Sequence, residues 1–188
     1  MSRRLMLRNV SGGGGILPPE YQQVEWIGHA TNTLNYINSV SKYDNVNQIV
    51  MDLEFTAKAK YGVAIVIAKT GRTFPVGDTL NNLSAPGQRA FSCDPRKNVS
   101  GAIARNSYTF TKVEGATVPS SFALYGWANA NYTCGLKTYG TKMYSTSNQL
   151  IFDALPCYRK ADGVIGIYDT VEEKFFPVSG TWTKGAEV

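Results

Sequence analysis

Residues 150–188 read LIFDALPCYRKADGVIGIYDTVEEKFFPVSGTWTKGAEV, and the punctuation of this stretch decides the fold. Three short segments rich in β-branched and aromatic residues are separated by Asp162-Gly163 and by the polar link 169–174. An Asp-Gly pair between apolar runs is a strong short-range hairpin signal, because both residues tolerate the left-handed backbone of a tight turn. The stretch is predicted to form consecutive hairpins, and nothing in it resembles a reaction centre.

Upstream, 141–146 (TKMYST) is predicted as a short strand whose partner is 149–159. Segment 121–128 (SFALYGWA) reads as a core strand, and 129–139 as a polar and aromatic stretch with Tyr132, Cys134 and Tyr139. Segments 89–93, 102–105 and 108–113 read as three strands, separated by Asp94-Pro95 and Asn106-Ser107. Between 70 and 88 lies a long polar connection containing Gly71, Pro75, Gly77, Pro86 and Gly87, a kind of loop that often carries function on a β-scaffold.

The clearest strand is 48–57, QIVMDLEFTA. There Ile49, Met51, Leu53 and Phe55 alternate with Val50, Asp52, Glu54 and Thr56, a period of two with one face buried. Segment 62–68 (GVAIVIA) is apolar throughout and is predicted as a central strand covered on both faces. Segment 34–37 is predicted as a short strand. Segment 21–27 (YQQVEWI) reads as one strand of mixed pattern, as expected near a sheet edge. No segment has the periodicity of an amphipathic helix. About a dozen short strands spaced near ten residues predict an all-β sandwich or barrel.

Residues 1–15, MSRRLMLRNVSGGGG, stand apart from the domain that follows at 16–188. A short basic and apolar arm (Arg3, Arg4, Leu5, Met6, Leu7, Arg8) ends in the glycine hinge 12–15. It reads either as a disordered terminus or as a peg on a larger partner. As a peg, Leu5, Met6 and Leu7 would fill a groove and the arginines would pair with acidic groups.

A length of 188 residues fits one domain with a sizeable core. The net charge of +5 is not gathered into a stripe beyond Arg3, Arg4 and Arg8, so no nucleic-acid partner is expected. Cys93, Cys134 and Cys157 are far apart and odd in number. They read as free thiols made in a reducing cytoplasm, with one disulfide and a spare cysteine as the other arrangement. No run approaches the roughly 18 apolar residues of a membrane span, and the N-terminus lacks the apolar core of a secretory signal.

Two separated blocks carry a resemblance. Leu17-Pro18-Pro19-Glu20-Tyr21-Gln22-Gln23-Val24-Glu25-Trp26-Ile27 resembles the LP-x-x-Y-x-x-(L/V)-E-(Y/W)-(I/L) opening of concanavalin A-like, laminin G-like domains. In the second block, Lys142-Met143-Tyr144-Ser145 is similar to the family's K-(I/M)-Y-S strand and Leu155-Pro156-Cys157 to its (F/L)-(I/V)-P-C strand. Residues 163–169 (GVIGIYD) resemble G-x-(V/I)-G-(L/M/I)-Y-D. Lys174-Phe175-Phe176, followed by Gly180-Thr181-Trp182-Thr183-Lys184-Gly185, is similar to the closing K-F-(Y/F)…G-x-(F/W)-x-x-G. The middle departs from the family: neither its usual FGAR-like strand nor its T-Q-Y-I-D-T wording occurs here.

The resemblance implies a two-sheet antiparallel jelly-roll sandwich behind a short extended N-terminal arm. Such domains are frequent in tail, fibre and head-surface proteins of phages of gut bacteria. The expected function is therefore that of a non-enzymatic structural protein of a tailed bacteriophage. It would be made in the host bacterial cytoplasm and carried on the virion as a head fibre, capsid decoration or tail-associated adhesion module. Its partners would be other virion proteins, reached through the arm, with further copies of itself as a homo-oligomer such as a trimer. The alternative is a carbohydrate-binding module at a bacterial cell surface.

The chemistry-bearing residues are few. Asp52 and Glu54 share a strand face, as the carboxylates of some glycosidases of this fold do, but Val50 stands where a third would be. The ordinary reading is a solvated strand face. His29 is the sole histidine, follows Gly28 and is expected at the surface in a turn. Cys157 is expected in the core. Asp169, Glu172 and Glu173 read as a charged hairpin turn more simply than as a calcium site, so no metal or cofactor is expected. Trp127, Tyr132 and Tyr139 are the candidate glycan-stacking residues, set against the commoner role of aromatic rings as core or interface.

Overall fold

Alternation along the chain becomes two antiparallel sheets. The computed structural model describes residues 17–31, 35–40, 45–57, 65–67, 71–73, 91–94, 103–115, 122–126 and 134–188. Among these it contains strands and turns and no helix. The arm residues Arg3, Arg4, Leu5, Met6, Leu7 and Arg8, together with Trp127 and Tyr132, lie outside the described residues.

The larger sheet has ten strands. Its centre is β4 (Val46–Ala57), flanked by β8 (Ile103–Lys112) and β10 (Gly135–Ser145). Beyond β8 lies β7 (Phe91–Asp94). Beyond β10 come β11 (Leu150–Arg159), β12 (Ile165–Asp169) and β13 (Lys174–Pro177). The smaller sheet has four strands in the order β3 (Ile37–Val40), β9 (Phe122–Leu124), β5 (Ile65–Ile67), β6 (Gly71–Thr73). Both sheets feed one core, in which Ile37 and Leu124 join Ile49, Met51, Leu53, Phe55, Tyr108, Phe110, Leu136, Met143, Phe152 and Ile167.

The inward set of β4 is the one that alternation predicts: Ile49, Met51, Leu53 and Phe55 are buried, while Val50, Asp52, Glu54 and Thr56 are not. The C-terminal hairpins also form as predicted. Between β11 and β12, the Arg159 N–H donates to the Val164 carbonyl (2.9 Å), and Gly163 takes the left-handed backbone (φ 72°) that the turn needs. Asp162 braces this turn by accepting from the Val164 N–H and pairing with Arg159. Between β12 and β13, Asp169 is fully buried and accepts from the N–H groups of Asp153 and Val171. Gly166 lets the sheet close, since a Cβ there would run into the Phe176 carbonyl and the Phe175 ring.

Several expectations are corrected. The connection expected at 70–88 opens with a strand, β6, and the short strand expected at 34–37 lies at Ile37–Val40. The two segments 102–105 and 108–113 are one strand, β8, and the short strand at 141–146 is the end of the long β10. Asn106 and Ser107 pair in regular register with Leu53 and Asp52, and the stretch before Thr141 holds a bulge in a continuous strand, so neither is a break. The single strand expected at 21–27 is two, β1 (Tyr21–Gln23) and β2 (Ile27–His29). The break is a change of partner: β10 and β11 diverge, β1 follows β11, and β2 follows β10. His29 is buried at 6% exposure, because β2 is paired on both edges and Trp182 covers its end.

The last residues close this fork. β14 (Thr183–Lys184) pairs with β2, Val24 bridges to Glu187, and the Val188 N–H donates to the Gln23 carbonyl (3.1 Å). Nearby, Asn35 imitates a strand neighbour: its side chain both donates to the Thr181 carbonyl (2.8 Å) and accepts from the Thr181 N–H (3.0 Å).

Cys134 and Cys157 are buried and in no disulfide, and burial pushes the Cys157 thiol up to about 12. Among the described residues no group of three His, Cys, Asp or Glu side chains is placed to hold a metal ion, and no helix is long and apolar enough to cross a membrane.

Candidate functional site

The outward face of β4 carries Asp52 and Glu54, two residues apart, and the neighbouring strands are shaped to meet them. On the β8 side the register slips between Leu53 and Phe55, which pair with Asn106 and Ile103, so β8 holds one extra residue opposite Glu54. On the β10 side the register slips between Thr138 and Gly140, leaving Tyr139 as the extra residue beside Asp52 and Leu53. A bulge re-aims side chains. Here the two bulges bring Arg105 and Tyr139 over the carboxylates from opposite sides.

The Arg105 guanidinium donates to both oxygens of Asp52, with Nε at 2.9 and 3.1 Å. Its plane lies over the Tyr139 ring, 3.8 Å from the centroid. The Tyr139 hydroxyl donates to Glu54 Oε2 (2.8 Å), and Lys137, directly across the register from Glu54, donates to Oε1 (2.9 Å). Lys137 in turn sits 4.9 Å from the Trp26 ring. The result is one unbroken ribbon, Asp52–Arg105–Tyr139–Glu54–Lys137–Trp26, laid across the strands on the side away from the core.

Its electrostatics follow from these contacts. The bonds from Lys137 and then Tyr139 hold the Glu54 carboxyl below its ordinary range, against a smaller opposing effect of burial. Partial burial, reinforced by the bond to Glu54, pushes the Tyr139 phenol up to about 12. Arg105 is raised by its bond to Asp52. A glycosidase acid must hold a proton near neutral pH, which requires a raised carboxyl pKa. Glu54 is tuned the opposite way, and Asp52 is tied to a guanidinium.

Other rings on the sheet are also capped by cations. Lys184 lies over Tyr158 (4.6 Å) and Arg159 over Phe175 (5.6 Å), while Tyr21 stacks on Phe175 at 5.0 Å. Of the three candidate stacking residues the structure describes Tyr139 alone. Its hydroxyl is engaged by Glu54 and one face of its ring by Arg105. The sequence reading missed Arg105, Lys137 and Trp26, because a cation's place beside a carboxylate depends on strand register, and both registers here contain a slip.

No family model matches the chain, and neither does any curated protein or solved structure.

Proposed function

We propose that the chain is a non-enzymatic structural protein of a tailed bacteriophage, a concanavalin A-like jelly roll displayed on the particle as a head fibre, capsid decoration or tail-associated adhesion module. Residues 1–15 anchor it to a capsid or tail protein, and oligomerisation multiplies weak surface contacts. The observation that carries this reading is the ribbon on the outward face of β4, β8 and β10. Each of its carboxylates already has a cation or a phenol in hydrogen-bond contact. Such a surface offers many donors and acceptors to a ligand such as a glycan hydroxyl, with no proton poised for bond cleavage. The two sequence blocks that resemble virion domains supply the context.

Mass spectrometry of purified particles tests the proposal, since the chain must be present in virions at stoichiometric abundance. A chain lacking residues 1–15 should fold and stay soluble yet fail to join particles. Absence of the full chain from virions overturns the reading. A carbohydrate-binding module of a bacterial surface is favoured instead if the full chain is absent from particles and binds an arrayed glycan with an affinity that Tyr139→Ala abolishes.

A further inference from the structure

The outward face of the larger sheet is complementary to its own reverse. At the level of the ribbon the strands run β8, β4, β10, β2. In that order they present the Arg105 cation, the Asp52 and Glu54 anions, the Lys137 cation and, just before β2, the Trp26 ring. From the other side the order is ring, cation, anion, cation. Laid on its reverse, the row sets each anion against a cation and each outer cation against a ring.

Further along the strands, towards the start of β4, the match is apolar. Here the order is β8, β4, β10, β11, and Thr111, Gln48, Tyr144 and Leu150 lie in one row across the register. Val50 is the next outward residue on β4, and Val113 stands just past the end of β8. Reversed, this row sets Val113 against Leu150, and Val50 and Gln48 against Tyr144. Val113 (37% exposed) and Leu150 (40%) are two of the four large apolar side chains exposed among the described residues. The nearest charges, Lys142 and Asp153, already pair with each other (3.6 Å). Two rows of unlike chemistry thus match their reverse about the same line, between β4 and β10.

We propose that a second copy of the chain docks on this face, the two sheets stacked about a two-fold axis that runs along the strands between β4 and β10. Arg105 of one copy then lies over Trp26 of the other, and Glu54 of each accepts from Lys137 of the other. Below them, Leu150 of each copy covers Val113 of the other. Such an interface is isologous and closes at two copies. Arginine, tyrosine and tryptophan, all present in the ribbon, are the residue types that tend to dominate association energy. This rests on the reading of the chain as a structural protein that oligomerises, and it gives that assembly a face; the donors and acceptors of the ribbon are then taken up by protein.

Sedimentation equilibrium of the full chain, from about 1 to about 200 μM, should give twice the mass of one chain. Glu54→Lys and Lys137→Glu each set like charges across the interface and should weaken the dimer at least about tenfold. Mixed in equal amounts, the two variants should dimerise again, because the changed position in one copy faces the changed position in the other with opposite charge. Losing the ion pair within a chain produces no such rescue. If the charge variants fail to fold, Leu150→Ser on the exposed apolar row should still weaken the dimer. A monomer throughout, a trimer, a dimer that these changes leave intact, or a mixture that stays monomeric overturns the proposal. A chain found in virions yet monomeric in solution overturns this inference alone, whereas a dimeric chain absent from virions overturns the display reading alone.

Discussion

The two faces of β4 are built from the same ten or so residues and are energetically unlike. Inward, Ile49, Met51, Leu53 and Phe55 have essentially no exposure and pack on Tyr108, Phe110, Leu136 and Met143. Outward, Asp52 and Glu54 sit in a ribbon of ion pairs whose members keep substantial contact with water, Arg105 with 55% of its side chain exposed and Glu54 with 27%. Burial of apolar area stabilises by roughly 25 cal/mol per Å² and needs no particular partner. Exposed ion pairs contribute little and depend wholly on geometry. One strand thus holds the fold together with one set of side chains and presents a patterned surface with the other.

The largest test of that asymmetry is Phe110→Ala. It removes a fully buried ring and should cost about 3–5 kcal/mol in urea unfolding, and a loss below 1 kcal/mol would break the assignment of that face as core. Next in size is Gly166→Ala in β12. Its Cβ would meet the Phe176 carbonyl and the Phe175 ring, so a loss of about 1–3 kcal/mol is expected as a lowered melting temperature.

Smallest is Glu54→Gln on the outward face, at about 0–1 kcal/mol near neutral pH. Its effect is sharper in titration. Glu54 has a lowered folded pKa, so its contribution is present above the unfolded value of 4.5 and is lost as pH falls through the folded one; the variant should lack this part of the acid limb. Tyr139 is raised, so its contribution is present below 10 and lost as pH rises through about 12. Removing the Glu54 charge should bring the Tyr139 midpoint part of the way back towards 10, because burial is the larger cause. An unmoved Tyr139 midpoint would show that the ribbon is not coupled.

The same contrast explains what could be read from the residues in advance. Alternation in 48–57 and the Asp162-Gly163 turn are local signals, and both landed where expected. All-β class followed from them. The ribbon is non-local: Arg105 and Lys137 reach Glu54 and Asp52 across long sequence separations, and each arrives through a register that no local pattern records. Asn106-Ser107 looked like a break because Asn and Ser are common turn residues, yet both sit in regular register on β8 opposite Leu53 and Asp52. His29 was placed at the surface because Gly28 before it suggests a turn. In fact that glycine allows β2 to lie close against β10, where a Cβ would strike the Leu136 carbonyl.

The zipper between the two ends has a mechanical consequence. Val188 lies beside Gln23 while Thr183 lies beside Gly28, so the two segments run antiparallel, with the start of one beside the end of the other. Tension applied between them loads these hydrogen bonds one after another, as in peeling tape, instead of all together as in shear. A pull applied between Leu17 and Val188 would yield first along this seam, whereas a force entering through the face of β4 would bypass it.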